Sequence, residues 1–482
     1  MIAAEIRPIE PDPGNTGEGN KVFFRQKMEW PDLSILRKLL TGKGDREKMS
    51  TQILAAQRGV ITPEMEIVAR KENLSPEVIR EGTAKGHIVI PANINHKNLV
   101  PVGIGRKLTT KINANIGSSP DSCCPEAECE KLAFAVKYGA DTVMDLSNAA
   151  EAITPIRRSI IAASKVPVGT VPIYEIVAKF GAKDFTKEHI LTIVEEQAKE
   201  GVDYMTIHAG LLRKHIPLAL NRLLGIVSRG GSLIAQWMQL HNKENPFYTA
   251  FDEILAICRK YDVTLSLGDG LRPGCLKDAS DEAQFAELEE LGKLVKRCRA
   301  AGVQAMVEGP GHIPYNEIRM NMEKERELCD DAPFYILGPV VVDCAPGYDH
   351  ITGAIGGTAG AFYGAAMLCY VTPMEHLGLP EAEHVRSGVI AFKLAALAAD
   401  TALGKPGAGE RSLAISKARS EFNWEKQFAC ALDPDMASNM HKAALARSGR
   451  ERHDPRYCTM CGKDFCSMRI SARLKAEKKK EE

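Results

Sequence analysis

Near the end of the chain Cys458, Cys461 and Cys466 stand in a C-x2-C-x4-C spacing within CTMCGKDFC. Loops this short let three thiolates converge on one metal centre. A 4Fe-4S cluster held by three cysteines keeps one iron free of protein ligands, open to the amino and carboxylate groups of S-adenosylmethionine. A closed Cys3His zinc knuckle with His453 as the fourth ligand fits the same spacing, so spacing alone does not choose between them.

Two histidines form a second candidate metal set. EGPGH presents Glu308 and His312 around a Gly-Pro-Gly turn, and TPMEH ends in His376 after an apolar stretch and a proline. Two neutral imidazoles with water or substrate can hold a mononuclear divalent ion such as Zn2+; a hydrogen-bonded packing role is the commoner fate of a single histidine, and His350 in APGYDH competes. SRGG (228–231) offers a hydroxyl, a guanidinium and backbone amides able to cradle a phosphate. GDGLRPG supplies Asp269 and Arg272, which can serve a substrate or pair with each other. Cys123, Cys124 and Cys129 make a poor metal set, because adjacent cysteines do not readily aim both sulfurs at one ion. Cys258, Cys298, Cys329, Cys369 and Cys430 lie in apolar or helical patterns and read as small buried hydrophobes.

Such scattered groups need a scaffold that brings them together. From about 110 to 343, short β-rich runs alternate with helical stretches every ~25 to 40 residues, the pattern of parallel βα units. Eight runs stand out: 111–117, 141–147, 166–174, 204–210, 225–231, 263–270, 304–311 and 334–343. They predict an α/β chain with a (β/α)8 TIM-like barrel over 110–352. In such a barrel the strand C-termini share one mouth, where Asn115, His208, Ser228, Asp269 and Glu308 would face a common cavity. Residues 1–109 are expected to form an N-terminal arm and small domain, 353–447 a helical subdomain, and 448–482 a cysteine-bearing tail whose RLKAEKKKEE end is a solvated charged run without fixed structure. Within 50–88, short helices broken at Gly59 and Gly82 are expected to start at Thr62-Pro63 and Ser75-Pro76.

Composition narrows the partners. The 482 residues carry 62 Lys+Arg against 62 Asp+Glu, which removes the basic footprint of a nucleic-acid or membrane-surface binder. Thirteen cysteines are too few for a disulfide scaffold in a chain of this length. With no long apolar span and no basic-then-apolar leader, the expectation is a cytoplasmic protein acting on a small molecule.

Taken in order, NANIG, MDLS, VPIY, TIHAG, VSRGG, GDGLRPG, EGPGH, FYILGP, APGYDHIT, CYVTPMEHLGLP and CTMCGKDFC resemble the phosphomethylpyrimidine synthase family of thiamine biosynthesis over about residues 50 to 470. The resemblance implies a radical S-adenosylmethionine lyase. Its reaction turns 5-aminoimidazole ribotide into 4-amino-5-hydroxymethyl-2-methylpyrimidine phosphate, with release of formate, CO, methionine and 5′-deoxyadenosine. It implies the 4Fe-4S cluster at Cys458, Cys461 and Cys466, and a zinc-like ion at His312 and His376. Substrate contacts implied in the same way are Asn115, Met144, Tyr174, His208, Ser228, Arg229, Gly230, Asp269, Gly270, Leu271, Arg272, Glu308 and Tyr335. A reduced donor such as flavodoxin or ferredoxin, and a homodimer in which one subunit's tail reaches the other's barrel, complete what it implies. The nearest rival is the related family that makes hydroxybenzimidazole from the same ribotide; GDGLRPG and NANIG favour the pyrimidine synthases. A rival of another class is a metal-binding interaction protein with a zinc knuckle and an inactive barrel.

Overall fold

The structure, a computed structural model, describes residues 51–120, 123–448 and 456–481. The expected N-terminal arm and His453 lie outside these. Eight short parallel strands close into a barrel in sequence order. They are β1 (Lys111–Ile116), β2 (Thr142–Asp145), β3 (Val168–Thr170), β4 (Tyr204–Ile207), β5 (Thr264–Leu267), β6 (Ala305–Gly309), β7 (Phe334–Leu337) and β8 (Met367–Cys369). Closure is made by β1 against β8, with Lys111 opposite Met367 and Asn113 opposite Cys369. Helices cover the outside, so β2, β4 and β5 are buried along their whole length, as parallel strands enclosed on both faces must be.

Seven of the expected runs contain strands; GIVSRGG does not. There Ser228 caps the helix Arg229–His241, its Oγ accepting the Gly231 N–H, so the fifth strand is Thr264–Leu267. The two glycines that suggested a strand end serve close approach instead. A Cβ on Gly230 would stand 2.4 Å from the His208 ring, and one on Gly231 would stand 2.3 Å from the Gly270 carbonyl oxygen. Side chains at either position would push the helix off the mouth.

The eighth strand is Met367–Cys369, beyond the expected barrel limit of 352. The small-residue stretch before it forms the helix Asp349–Tyr363, which packs on β7, β8 and the helix Ala382–Ala402. Residues 353–369, assigned from sequence to a helical subdomain, therefore supply part of the barrel's last unit. Glu308 and His312 consequently belong to β6 and its loop, Tyr335 to β7, and His376 to the loop after β8. Tyr174 likewise sits in the first turn of the helix Pro172–Phe180 rather than on a strand.

Before the barrel run the helices Gln52–Gln57, Pro63–Glu72 and Pro76–Ala84. The Thr62 side chain accepts from the Met65 N–H as the expected cap, while Ser75 makes no such bond. Gly82 does not break its helix. After the barrel come Glu410–Ser420, Trp424–Cys430 and Pro434–Arg447. The charged C-terminal run, expected without structure, continues a helix, Ser467–Glu481; its Ala, Leu, Arg, Lys and Glu content has high intrinsic helix propensity.

Candidate active site at the barrel mouth

The barrel interior below the mouth is a polar layer. Asn113 on β1 is fully buried and joins three other strands: its Oδ1 accepts from Thr142 Oγ1 at 2.9 Å and Tyr204 OH at 2.8 Å, while its Nδ2 donates to Tyr335 OH at 2.7 Å. The same Nδ2 lies 2.8 Å from Asn115 Oδ1, and Asn115 Nδ2 donates to Cys369 Sγ at 3.1 Å. Tyr335 OH points in turn to Met144 Sδ at 3.6 Å. Asn115, Met144 and Tyr335 are thus gathered on one side of the lumen. Cys369, expected only as a packing residue, is buried but stands among polar groups, and burial pushes its thiol up to about 11.

On β6, where Glu308 is the register neighbour of Tyr335, its Oε1 accepts from Thr206 Oγ1 at 2.6 Å and Ser266 Oγ at 2.8 Å. Asp269 Oδ1 accepts from Arg272 Nη1 at 3.2 Å. Behind this loop Glu287, on the helix Glu282–Ala300, accepts from the Gly270 N–H at 2.9 Å and the Leu271 N–H at 2.7 Å. Burial pushes Glu308 up and Asp269 well up, and Glu287 to about 8. All three carboxyls feel Arg272, whose own proton the neighbouring Asp269 holds more tightly, and Glu287 feels Arg222 as well. Burial this close together disfavours ionising all three at once.

Arg229 lays its guanidinium 4.9 Å over the Tyr174 ring, a cation–π arrangement at the start of the Arg229–His241 helix. His208 is buried, with Nε2 3.3 Å from Ser228 Oγ. The Ser228 hydroxyl accepts from the Gly231 N–H and still has a lone pair and its hydrogen to offer, so either neutral tautomer of His208 fits this contact. Burial, reinforced by Arg272, lowers His208 to about 3, so it is neutral at physiological pH. Two buried polar atoms here have no protein partner: His208 Nδ1 and Asp269 Oδ2. Buried groups left unpaired in a folded protein call for a partner from outside the chain.

His312 and His376 come together from the loops after β6 and β8, their ring centroids 5.4 Å apart. Each Nδ1 faces a carboxylate: His312 donates to Asp343 Oδ1 at 2.9 Å, and His376 approaches Asp349 Oδ2 at 3.4 Å. Both Nε2 lone pairs are thereby left for a ligand, which fits the chemistry of a divalent-metal pair. His350, the competitor, has a buried Nδ1 without a partner. Among the described residues no three His, Cys, Asp or Glu side chains are already gathered round one point to hold a metal.

In the tail, a turn brings Cys461 back toward Cys458, with Gly462 N–H bonded to Cys458 O at 3.4 Å and Gly462 at φ +69°. Cys466 follows the single-turn helix Gly462–Phe465. Cys461 is exposed, Cys458 half-buried and Cys466 buried, and all three are free thiols.

Residues 51–473 match the model of the radical SAM ThiC family. The chain belongs to that family. Relatives named phosphomethylpyrimidine synthase occur in Halobacterium salinarum and Natronomonas pharaonis; each is 56% identical over 423 residues, covering 88% of both chains. A solved dihydropteroate synthase of Xanthomonas albilineans, in complex with indole-2-carboxylic acid and 6-chloroguanine, matches 66% of this chain and 100% of its own at 12% identity and a TM-score of 0.40. That likeness is too slight to carry an argument. Membership of a radical SAM family brings with it an iron–sulfur cluster, S-adenosylmethionine and a reductant. Among the described residues no helix is long and apolar enough to cross a membrane.

Asn113, Thr206, Ser266, Glu287, Asp343 and Asp349 belong to this neighbourhood and were not singled out from sequence. A period-two reading finds two of them: Asn113 stands two residues before Asn115, and Thr206 two before His208, so each shares its neighbour's strand face. Glu287 and Asp349 come from helices and Asp343 from a loop, where no such rule applies.

Proposed function

We propose that this chain converts 5-aminoimidazole ribotide into 4-amino-5-hydroxymethyl-2-methylpyrimidine phosphate, with release of formate, CO, methionine and 5′-deoxyadenosine, as the pyrimidine-forming step of thiamine biosynthesis. The observation that carries this reading is the pair of orphaned polar atoms, His208 Nδ1 and Asp269 Oδ2, at a mouth that also holds Arg229 and Arg272. An unpaired imidazole nitrogen, an unpaired carboxyl oxygen and two guanidinium groups suit an anionic, hydroxyl-rich ligand such as a ribotide.

In this reading Arg229, the Ser228 hydroxyl and the Gly230 amide at the helix start hold the phosphate. Asp269, Gly270, Leu271 and Arg272 orient the ribose, with Glu308 placed by Thr206 and Ser266. Asn115, Met144 and Tyr335 line the side that receives the imidazole, and His208 offers its unpaired Nδ1 without adding charge. Cys458, Cys461 and Cys466 would hold the 4Fe-4S cluster, which when bound would supply the electron for reductive cleavage of S-adenosylmethionine. His312 and His376 hold a zinc-like ion. The functional unit is a homodimer, with a flavodoxin or ferredoxin as electron donor.

The deciding experiment is anaerobic turnover of the cluster-loaded chain with dithionite, S-adenosylmethionine and the ribotide, followed by product identification. The hydroxymethylpyrimidine phosphate together with 5′-deoxyadenosine is expected. Hydroxybenzimidazole would transfer the chain to the rival activity, and a loaded cluster that forms no 5′-deoxyadenosine would remove catalysis altogether. Replacing Arg272 with Ala is expected to lower product formation by on the order of 100-fold or more, since it removes the charge that orients substrate and balances the buried carboxyls; near-normal turnover would reject that role.

A further inference from the structure

We infer that Asp343, in the loop after β7, is a positioning residue that couples the two-histidine metal site to the substrate loop after β5. The inference rests on the reading of His312 and His376 as metal ligands.

Each oxygen of this carboxylate has a different task. Oδ1 accepts from His312 Nδ1 at 2.9 Å, and Oδ2 accepts from the Leu276 N–H at 2.8 Å. Leu276 closes the segment that begins with Asp269 and Arg272, so one side chain grips both an imidazole and the end of the Asp269–Leu276 loop. The surroundings keep that grip stiff. Gly311 O accepts from Val340 N–H at 2.7 Å and Val340 O from Ile313 N–H at 3.3 Å, so the backbone on both sides of His312 is paired to the loop that carries Asp343.

The second histidine provides the contrast. His376 is served by Asp349, which belongs to the same inter-strand segment but is buried at the start of the helix Asp349–Tyr363 and makes no bond to the loop after β5 among those described. Both aspartates orient an imidazole so that Nε2 faces a ligand; only Asp343 has its other oxygen on the substrate loop. An ion that fixes His312 must then also restrict the Asp269–Leu276 loop, and by linkage a ligand that orders the loop must tighten the ion. Asp343 is 38% exposed in its side chain, so an isosteric change there leaves the barrel core untouched.

The test uses the full, cluster-loaded chain, kept anaerobic and stripped of divalent metal. Zn2+ affinity is read by competition with a chromophoric chelator, and hydrogen exchange of peptides covering 268–277 is followed without Zn2+ and at saturating Zn2+. In the wild-type chain Zn2+ is expected to slow exchange in that segment. Asp343→Asn keeps an acceptor for His312 but sets an amide hydrogen against Leu276 or the imidazole. It is expected to weaken Zn2+ binding by about 10- to 100-fold and to abolish the slowing even at saturation. Asp343→Ala must show the same two losses. Asp349→Asn is expected to weaken Zn2+ but preserve the slowing. Wild-type affinity in Asp343→Asn, or full slowing at saturating Zn2+, overturns the inference. His312→Ala with undiminished affinity would instead overturn the two-histidine reading, and the coupling with it.

Discussion

His208 shows how burial sets the chemistry of one residue. Its imidazole is lowered to about 3 because the barrel mouth desolvates it and Arg272 opposes a second positive charge. It therefore stays a neutral imidazole at the mouth, and the titration of a free histidine is absent from its part in the pH profile. The same shift is a statement about stability. The unfolded chain binds the extra proton, so the contribution of His208 is whole above the ordinary value of 6.5 and is lost as pH falls from there toward about 3. Glu287, raised to about 8 against an ordinary 4.5, acts in the opposite sense: the folded chain holds its proton, and its contribution is lost as pH rises between those values. Replacing His208 with Gln, which keeps a polar atom near the Ser228 hydroxyl, is expected to flatten the acid side. Denaturant unfolding between about pH 6.5 and 4 should show a pH slope shallower by close to one proton than the wild type. An unchanged slope would mean that His208 is solvated and free to charge, and its role as a neutral imidazole would go with it.

The helix Arg229–His241 places Ser228, Arg229 and Gly230, and its position is fixed by what its glycines lack. Because a Cβ at Gly231 would meet the Gly270 carbonyl oxygen at 2.3 Å, backbone has to move against backbone in Gly231→Ala. The expected cost is about 1–3 kcal/mol, as for other overpacked contacts, and turnover should fall more than stability because the displaced loop carries Asp269 and Arg272. A variant with wild-type kcat/KM and a wild-type melting temperature would show that the helix has slack. The same element explains what sequence could and could not convey. Strands such as YMTIHAG and QAMVEGPG were legible because an apolar run ending in Gly, His or Glu is what a buried parallel strand feeding the mouth requires. GIVSRGG carries the same signature for another reason: its glycines permit helix-to-loop contact, and local pattern does not distinguish a strand end from a helix start that needs no side chain. Met367–Cys369 escaped because it continues the run of small and apolar residues begun by the Gly- and Ala-rich helix before it. The residues quoted for the site were legible as types in motifs; Glu287, Asp343 and Asp349 were not, since their significance lies in which backbone and imidazole groups they reach across the fold.

At the scale of the whole molecule the open question is which barrel each cysteine loop serves. Met460 and Phe465 flank Cys461 and are 89% and 83% exposed, and apolar side chains left in water beside the loop proposed to bind the cluster favour a docked state that covers them. Radical chemistry demands such cover, because an adenosyl radical must be kept from solvent. Exchange of tails between the subunits of a homodimer would supply it, and complementation tests the exchange directly. In the proposed assignment Cys461→Ala removes a cluster thiolate and Arg272→Ala disables the barrel, so either variant alone is expected to be inactive. In dimers reassembled from equal amounts, about half are mixed. If tails act across the interface, the intact tail of the Arg272→Ala subunit serves the intact barrel of the Cys461→Ala subunit, restoring one site in each mixed dimer and about a quarter of wild-type 5′-deoxyadenosine and pyrimidine formation. If each tail serves its own barrel, every mixed dimer pairs a good tail with a disabled barrel and a good barrel with a broken tail. No activity should then return, and the loop would have to be covered from within its own chain.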